Sequence, residues 1–302
     1  MINHFADRLA EAVTGKSSRV CVGIDPVVSR IANALDRPAD ALESDPDVAA
    51  DAIWEFNQRI LDAVRPYCGV VKPQSAFYEI WGPAGAETLR KTIARATEMG
   101  LFVILDAKRN DIASTAAAYA RAYLGDGPLA ADALTVNAYL GSDGIRPFTN
   151  EGRKHGRGVF ALVKTSNRSS VEVQSLTLSD GRRVHEHVGS LVEEWGSDCL
   201  GECGYSDVGA VVGATFPAEL EQLREAMPRT WFLVPGYGTQ GGTADDVVGG
   251  FDRDGLGAVV NSSSGILYAF EKNPDATCYA DAAATAAREM QEAIETAREA
   301  KN

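Results

Sequence analysis

The chain has 302 residues, of which 45% are hydrophobic and 24% charged, so it carries enough apolar material for a sizeable core and is not a disordered segment. Its formal net charge of −13 is the wrong sign for a protein that holds nucleic acid through a diffuse positive field. No apolar run approaches the roughly 18 residues of a membrane helix, and the first residues lack the apolar stretch of a secretory signal, so we expect a cytoplasmic enzyme or binding protein.

Eight short runs rich in β-branched residues recur along the chain, each ending in a polar or glycine-containing turn. Segments of helical character separate them, including amphipathic stretches at 86–98 and 218–226 and a long one from Asp281 onward. In chain order the predicted strands are Cys21–Asp25, Gly69–Lys72, Phe102–Asp106, Ala133–Asn137, Val159–Lys164, Gly209–Gly213, Trp231–Pro235 and Gly257–Asn261.

This alternation predicts the fold class. Near-continuous apolar strands that alternate with helices are typical of a parallel sheet covered by helices, and eight of them close a (β/α)8 barrel. We therefore expect residues 1–302 to form a single α/β domain, a TIM barrel. A doubly wound open sheet is the alternative, but the first strand-to-helix turn lacks the GxGxxG pattern of that fold.

Two segments are longer than a barrel requires. Residues 27–52, rich in Asp, Ala and Pro, predict an extended first loop that leads into a helix near Asp51. Residues 171–187 alternate apolar and polar residues on both sides of Ser179-Asp180-Gly181, which predicts a β-hairpin inserted after strand five.

Cysteines and histidines do not indicate a metal site. The five cysteines include no CxxC pair and lie in dissimilar contexts, so we expect free thiols. Cys199 and Cys203 lie near His185 and His187 in the chain, but their spacing matches no structural zinc pattern. We expect all four histidines to lie in solvated loops.

Polar side chains concentrate at the carboxyl ends of the predicted strands, where barrel enzymes hold their active sites. The strand-end residues are Asp25, Lys72, Asp106, Lys108, Asn137, Lys164, Thr165, Ser166, Pro235 and Asn261. Alternate residues of an extended segment share a side, so Asp106 and Lys108 both face the barrel mouth, one strand from Lys72. A lysine between carboxylates stays protonated, which favours a proton donor over a Schiff-base nucleophile. The alternative is an ion-pair network that only seals the barrel rim.

Two loops after strands seven and eight favour a phosphate. Residues 235–242 read PGYGTQGG, and residues 260–266 read VNSSSGI. Glycine-rich loops at this end of a barrel let backbone N–H groups approach an anion. We therefore expect a phosphorylated substrate, the alternative being that the glycines only form tight turns.

Most of the chain resembles the orotidine 5′-phosphate decarboxylase family, in its longer bacterial form. The segments that carry the resemblance are VGIDP (22–26), VKPQSAFYE (71–79), LDAKRNDI (105–112), TVNAYLGSDGI (135–145), VKTSN (163–167), VPGYGTQGG (234–242) and VNSSSGI (260–266). The motif Asp-x-Lys-x-x-Asp alone is shared with sugar-phosphate relatives, but together with the other segments, in this order along the chain, it is specific for this family. The resemblance implies a homodimer that converts orotidine 5′-monophosphate to UMP, the last step of pyrimidine synthesis, without metal or organic cofactor.

The resemblance also implies roles for individual residues. Lys108 stabilises the carbanion that develops at C6 and then protonates it, within a charged array completed by Lys72, Asp106 and Asp111. Asp106 faces the substrate carboxylate, and Asp111 reaches into the site of the other subunit. The implied substrate-binding residues are Asp25 and Lys72 for the ribose, Thr115 from across the interface, Ser166 for the pyrimidine, and Pro235, Gln240, Ser263 and Ser264 around the phosphate.

Ser264 departs from the family pattern, which usually has an arginine there that pairs with the phosphate. The chain offers no local replacement, because Arg253 precedes strand eight and so belongs to the opposite end of the barrel. A weaker phosphate grip, an engineered substitution or a different substrate would each explain the serine. Two other functions therefore stay open: a metal-dependent decarboxylase of another sugar phosphate, and a barrel that binds a phosphometabolite without turnover. Lys72 argues against the first, which needs further acidic ligands, and the intact charged array argues against the second.

Overall fold

The computed structural model describes residues 4–238, 241–272 and 278–301, and eight parallel strands close a barrel in the order β1 to β8. The strands are β1 (Val20–Ile24), β2 (Val70–Pro73), β3 (Phe102–Arg109), β4 (Ala133–Val136), β5 (Gly158–Lys164), β6 (Val208–Val212), β7 (Phe232–Val234) and β8 (Ala258–Ser262). Pairing of β1 with both β2 and β8 completes the ring. The predicted barrel is confirmed, and the open sheet is wrong.

Helices alternate with the strands and cover the outside of the barrel. They are α1 (Phe5–Gly15), α2 (Val28–Ala34), α3 (Ala39–Glu43), α4 (Pro46–Val64), α5 (Ala76–Glu79), α6 (Gly82–Glu98), α7 (Ala113–Leu124), α8 (Ser142–Lys154), α9 (Val184–Trp195), α10 (Pro217–Ala226), α11 (Ala244–Val247), α12 (Ser264–Leu267) and α13 (Tyr279–Lys301). Short 3-10 helices lie at Ala138–Leu140, Arg168–Glu172, Val248–Gly250 and Ala269–Lys272.

The segment 27–52 is not the extended loop that the sequence predicted. It contains α2 and α3, and α4 begins at Pro46 rather than near Asp51. The Asp45 carboxylate accepts a hydrogen bond from Asp47 N, and Pro46 fills the first helical position, where no N–H is needed. These two local signals start the helix a turn before its apolar face becomes regular.

Two separate cores use the two faces of the strands. One face of each strand packs under the surrounding helices, as Val22 and Val103 do. The other face fills the barrel interior, where α1 lies across the amino-terminal end and inserts Phe5. The Phe5 ring meets the rings of Phe102 and Phe160 edge-on, with centroids 5.7 and 5.8 Å apart. The interior of the amino-terminal half of the barrel is therefore filled with apolar side chains, and the cavity lies at the carboxyl end.

The hairpin predicted at 171–187 is not confirmed. A 3-10 helix occupies Arg168–Glu172, and a single antiparallel bridge joins Thr177 to Arg183. Helix α9 begins at Val184, because the Glu186 side chain accepts a hydrogen bond from Arg183 N and closes the first helical turn. The last residues of the predicted hairpin are thus helical, and only its central turn is present.

The histidines are not all in solvated loops, as the sequence had suggested. His185 is 1% exposed within α9, and His4 caps α1 by accepting a hydrogen bond from Ala6 N. All five cysteines are free. Across the described ranges, no three Cys, His, Asp or Glu side chains are grouped to hold a metal ion. No helix of those ranges is long and apolar enough to cross a membrane.

Candidate active site

A cavity of about 560 Å³ opens at the carboxyl end of the barrel. Leu162, Val211 and Leu233 form its apolar floor, above the interior core. Polar side chains from the strand ends and the following loops surround it. The lining residues that the sequence predicted are the polar residues Asp25, Lys72, Asp106, Lys108, Thr165, Ser166, Asn261, Ser263 and Ser264, together with Pro235.

One carboxylate and two ammonium groups form the centre of this site. Lys72 Nζ donates to Asp106 Oδ2 at 2.9 Å, and Lys108 Nζ donates to Asp106 Oδ1 at 2.7 Å. The side chain of Lys72 is only 5% exposed, whereas that of Lys108 is 46% exposed. Lys72 is therefore a buried partner of Asp106, and Lys108 presents its ammonium group to the cavity.

Thr135, which the sequence did not single out, organises this cluster. Its hydroxyl donates to Asp106 Oδ1 at 2.9 Å and accepts hydrogen bonds from the backbone N–H groups of Ala107 and Lys108 at 3.0 and 2.9 Å. The β3–β4 pairing is irregular here, and Lys108 has a φ of 46°, in the left-handed region. The hydroxyl thus satisfies the amides that the irregular ladder leaves unpaired and holds a strained residue in place.

Electrostatics keeps the cluster ionised. Burial by itself would raise the pKa of Asp106, but the ammonium groups of Lys72 and Lys108 outweigh it and hold that pKa well below its usual range. Burial would likewise lower the pKa of Lys72, but the carboxylates of Asp106 and Asp25 outweigh it and raise that pKa above its ordinary value. A fixed pattern of alternating charge therefore persists at neutral pH.

Asp25 also lines the cavity, and its Oδ1 is buried without a hydrogen-bond partner among the described residues. An unsatisfied buried carboxylate oxygen is costly, so it is positioned to accept a hydrogen bond from a ligand. Asn261 is 8% exposed, and its Oδ1 is unpaired in the same way on the neighbouring strand. Both acceptors suit a ligand that brings hydroxyl or amide donors into the cavity.

Backbone packing places Ser166 at the opposite wall of the cavity. A side chain on Gly213, the residue after β6, would come within 2.9 Å of Ser166 Cα, so only glycine lets the backbone approach this closely there. Gln174, which the sequence also did not single out, lines the cavity beside Thr165 and Asn167. It comes from the segment that was expected to form a hairpin, so no pattern had indicated that its side chain points inward.

Among the residues that the structure describes, the expected phosphate end has no cationic side chain of its own. Pro235, Ser263 and Ser264 line it, while Gln240 lies outside the described residues. The charged side chains that line the cavity, in the part of the chain that the structure describes, are Asp25, Lys72, Asp106 and Lys108, and their formal charges cancel. Arg253 lies in a groove with Phe251, Arg298 and Lys301, as expected for the other end of the barrel.

Four predicted residues do not line the cavity of this chain. Lys164 is fully buried beside Glu219, whose Oε2 is 3.1 Å from its ammonium nitrogen, and Asn137 caps a 3-10 helix by accepting from Tyr139 N. Asp111, whose Oδ1 accepts from the N–H of the next residue, and the exposed Thr115 of α7 lie outside it as well. The first two placements correct the expectation that every polar strand end faces the mouth.

Comparisons with known proteins identify relatives of this chain. The model of the orotidine 5′-phosphate decarboxylase / HUMPS family matches residues 18–278. Orotidine 5′-phosphate decarboxylase of Rhodopirellula baltica is 43% identical over 96% of this chain and 98% of its own length. The enzyme of the same name from Caldicellulosiruptor saccharolyticus is 42% identical over 90% of this chain and 91% of its own length. A crystal structure of an orotidine 5′-phosphate decarboxylase candidate from Streptomyces avermitilis superposes with a TM-score of 0.82 at 36% identity, over 98% of this chain and 96% of that one.

Proposed function

The chain belongs to the orotidine 5′-phosphate decarboxylase family, and on that basis we propose that it decarboxylates orotidine 5′-monophosphate to UMP, the last step of UMP biosynthesis. It is then a carboxy-lyase. The observation that carries the proposal is the ionised array of Lys72, Asp106 and Lys108 at the wall of a cavity with an apolar floor. Such an array suits a reaction whose difficulty is an unstabilised carbanion.

Lys108 is the proton donor in this mechanism. The bond between C6 and the carboxyl carbon breaks, its electron pair stays on C6, and CO2 leaves. The half-exposed ammonium group of Lys108 stabilises the developing charge and then transfers one proton to C6, and the resulting amine regains a proton from water. No metal or organic cofactor enters any step.

Asp106 and Lys72 position that donor. Asp106 accepts from both ammonium groups on its two different oxygens, which fixes the direction in which Lys108 points. In the substrate complex Asp106 faces the carboxylate that is lost. Two contributions to catalysis follow from this placement: repulsion between the two carboxylates that is relieved as CO2 departs, and stabilisation of the transition state by the charged array. Lys72 keeps Asp106 ionised from the buried side.

Binding of the nucleotide uses the remaining cavity residues. Asp25 accepts a hydrogen bond from a ribose hydroxyl on its unpaired buried Oδ1, and Lys72 donates one to a ribose hydroxyl. Ser166 contacts the pyrimidine. The phosphate lies against the loops that carry Pro235, Gln240, Ser263 and Ser264, where loop closure converts phosphate binding into catalysis at the distant C6.

The proposal includes a homodimer. Asp111 and Thr115 lie outside this chain's own cavity, only a few residues beyond Lys108, which suits a contribution to the site of a second copy. We place the protein in the cytoplasm, because a phosphorylated nucleotide does not cross membranes unaided. All 302 residues are assigned to one barrel domain.

The decisive experiment follows the fall in ultraviolet absorbance of orotidine 5′-monophosphate after addition of chelator-treated protein. Lys108→Ala is run alongside, with Lys154→Ala as a matched control, since Lys154 is an exposed lysine paired with Glu151 far from the array. Turnover that survives chelation, is lost in Lys108→Ala and is kept in Lys154→Ala supports the proposal. Turnover that needs a metal favours a sugar-phosphate relative, and UMP binding without turnover favours a binding barrel.

A further inference from the structure

The side chain of Gln174 is tied to the end of β5 by a pair of hydrogen bonds. Its Oε1 accepts from Thr165 N at 2.9 Å, and its Nε2 donates to Thr165 Oγ1 at 2.8 Å. The Thr165 hydroxyl then donates to Asn167 Oδ1 at 2.6 Å. Each donor in this series of three hydrogen bonds has one acceptor, so the orientation of the Gln174 side-chain amide is fully determined.

Gln174 is in turn anchored to the protein core. Its backbone oxygen accepts from the N–H of His185 at 3.0 Å and from the Nδ1 of the same residue at 2.8 Å, and its N–H donates to Ser170 O at 2.8 Å. The next residue, Ser175, accepts from Lys164 Nζ at 3.0 Å. His185 and Lys164 are 1% and 0% exposed. Backbone and side-chain hydrogen bonds therefore fix this segment, which has no regular secondary structure, at Gln174, where it lines the cavity.

These contacts hold the residues on both sides of Ser166. The residues on either side of it, Thr165 and Asn167, are both held by the hydrogen-bonded chain that starts at Gln174. Its own carbonyl accepts from Thr215 Oγ1 at 3.3 Å. We infer that Gln174 is a positioning residue that holds Ser166 in the orientation in which it contacts the pyrimidine. The inference rests on the proposed function, because that function supplies the base.

A double-mutant cycle tests this role. Loss of the paired hydrogen bonds in Gln174→Ala is expected to lower kcat/KM about ten-fold. In a Ser166→Ala background the same change should cost less than about two-fold, because there is no longer a hydroxyl to position. Thr165→Val should resemble Gln174→Ala, and Thr165→Ser should recover most of the loss. The control is Gln291→Ala, which removes two hydrogen bonds of 3.1 Å to backbone carbonyls at the other end of the barrel.

The cycle is read both in kcat/KM and in the dissociation constant of UMP, with the thermal midpoint of every variant recorded. Equal losses from Gln174→Ala in both backgrounds would overturn the inference, and so would a loss that only follows the thermal midpoint. Wild-type turnover, measured first, tests the proposed function separately. If the wild-type protein binds UMP without turnover, the proposed function fails while the cycle in UMP affinity still decides the role of Gln174. If the wild-type protein shows neither turnover nor UMP binding, both the proposed function and the inferred role of Gln174 are wrong.

Discussion

Replacement of Ser264 by arginine should strengthen substrate binding. Ser264 lines the cavity beside Pro235 and Ser263. The formal charges of the described lining residues sum to zero. The ammonium groups of Lys72 and Lys108 are both committed to Asp106. The phosphate dianion therefore meets hydroxyl and backbone donors at this end, and an arginine at position 264 supplies the missing positive charge.

The size of the effect follows from two opposing contributions. A charge-assisted hydrogen bond contributes about 1.5–3 kcal/mol, equivalent to roughly ten- to two-hundred-fold in affinity. Ordering a free arginine side chain costs up to about 2 kcal/mol, which removes much of the upper part of that range. We therefore expect KM for orotidine 5′-monophosphate and the inhibition constant of UMP to fall about ten-fold.

The assay compares Ser264→Arg with Ser264→Gln, which has a long side chain with amide donors and no charge. A gain confined to the arginine variant, lost with orotidine that lacks the phosphate and weakened by added salt, supports a direct ion pair. An unchanged or higher KM in a folded Ser264→Arg protein refutes the reasoning. It would mean that the phosphate lies elsewhere or is already fully satisfied.

Three further outcomes are expected. Lys72→Met should lower the free energy of unfolding in urea by about 3 kcal/mol, because Asp106 stays buried with one partner fewer, whereas Lys108→Met should change it by less than about 1 kcal/mol; equal losses would contradict the assignment of Lys72 as the buried partner. Because Asp106 has a lower pKa folded than unfolded, its stabilising contribution is present above about pH 3.9 and lost as pH falls through the folded value. Urea midpoints measured across this acid range check the sign. Thr135→Val, which removes one hydrogen bond to the carboxylate, should raise the folded pKa of Asp106 and so make the stability lost over this range smaller. Mixing inactive Asp111→Ala with inactive Lys108→Ala should restore about one quarter of wild-type activity, since half the dimers are hybrids with one intact site; no recovery after subunit exchange would place Asp111 in its own subunit's site.

The strands were predictable because both of their faces are buried. A parallel strand inside a covered barrel has no polar face, so its apolar run shows in the sequence without any period to interpret. All eight were located in this way, with ends that differ by at most three residues. Asp106 and Lys108 followed from the same reasoning, because residues two apart in a strand share a side.

Strand irregularities mark the point at which this reasoning fails. Lys164 was expected at the barrel mouth because it ends the fifth predicted strand, and Leu162, two residues earlier, does line the cavity. The β5–β6 register shifts between these residues, and Lys164 instead packs beneath Phe216, with its nitrogen 4.4 Å from the ring centroid. A single bulge reverses the side of a residue, and nothing in the local sequence reports it.

Thr135 and Gln174 were missed for different reasons. Thr135 lies two residues after Ala133, which faces the barrel interior, so the two-residue period does place its hydroxyl inward beside Asp106. A threonine inside an apolar strand was the available signal. Gln174 gives no such signal, because its direction depends on a long-range contact with His185 in α9.

The cluster of Phe5, Phe102 and Phe160 at the amino-terminal end of the barrel determines how ligands enter and leave the cavity. Phe5, Phe102 and Phe160 fill the barrel interior at its amino-terminal end, and the cavity lies at the carboxyl end. Orotidine 5′-monophosphate therefore enters from the carboxyl end of the barrel. UMP then leaves by the same route before the next substrate can enter. Product and substrate therefore exclude one another, and the residence time of UMP sets an upper limit on the turnover rate.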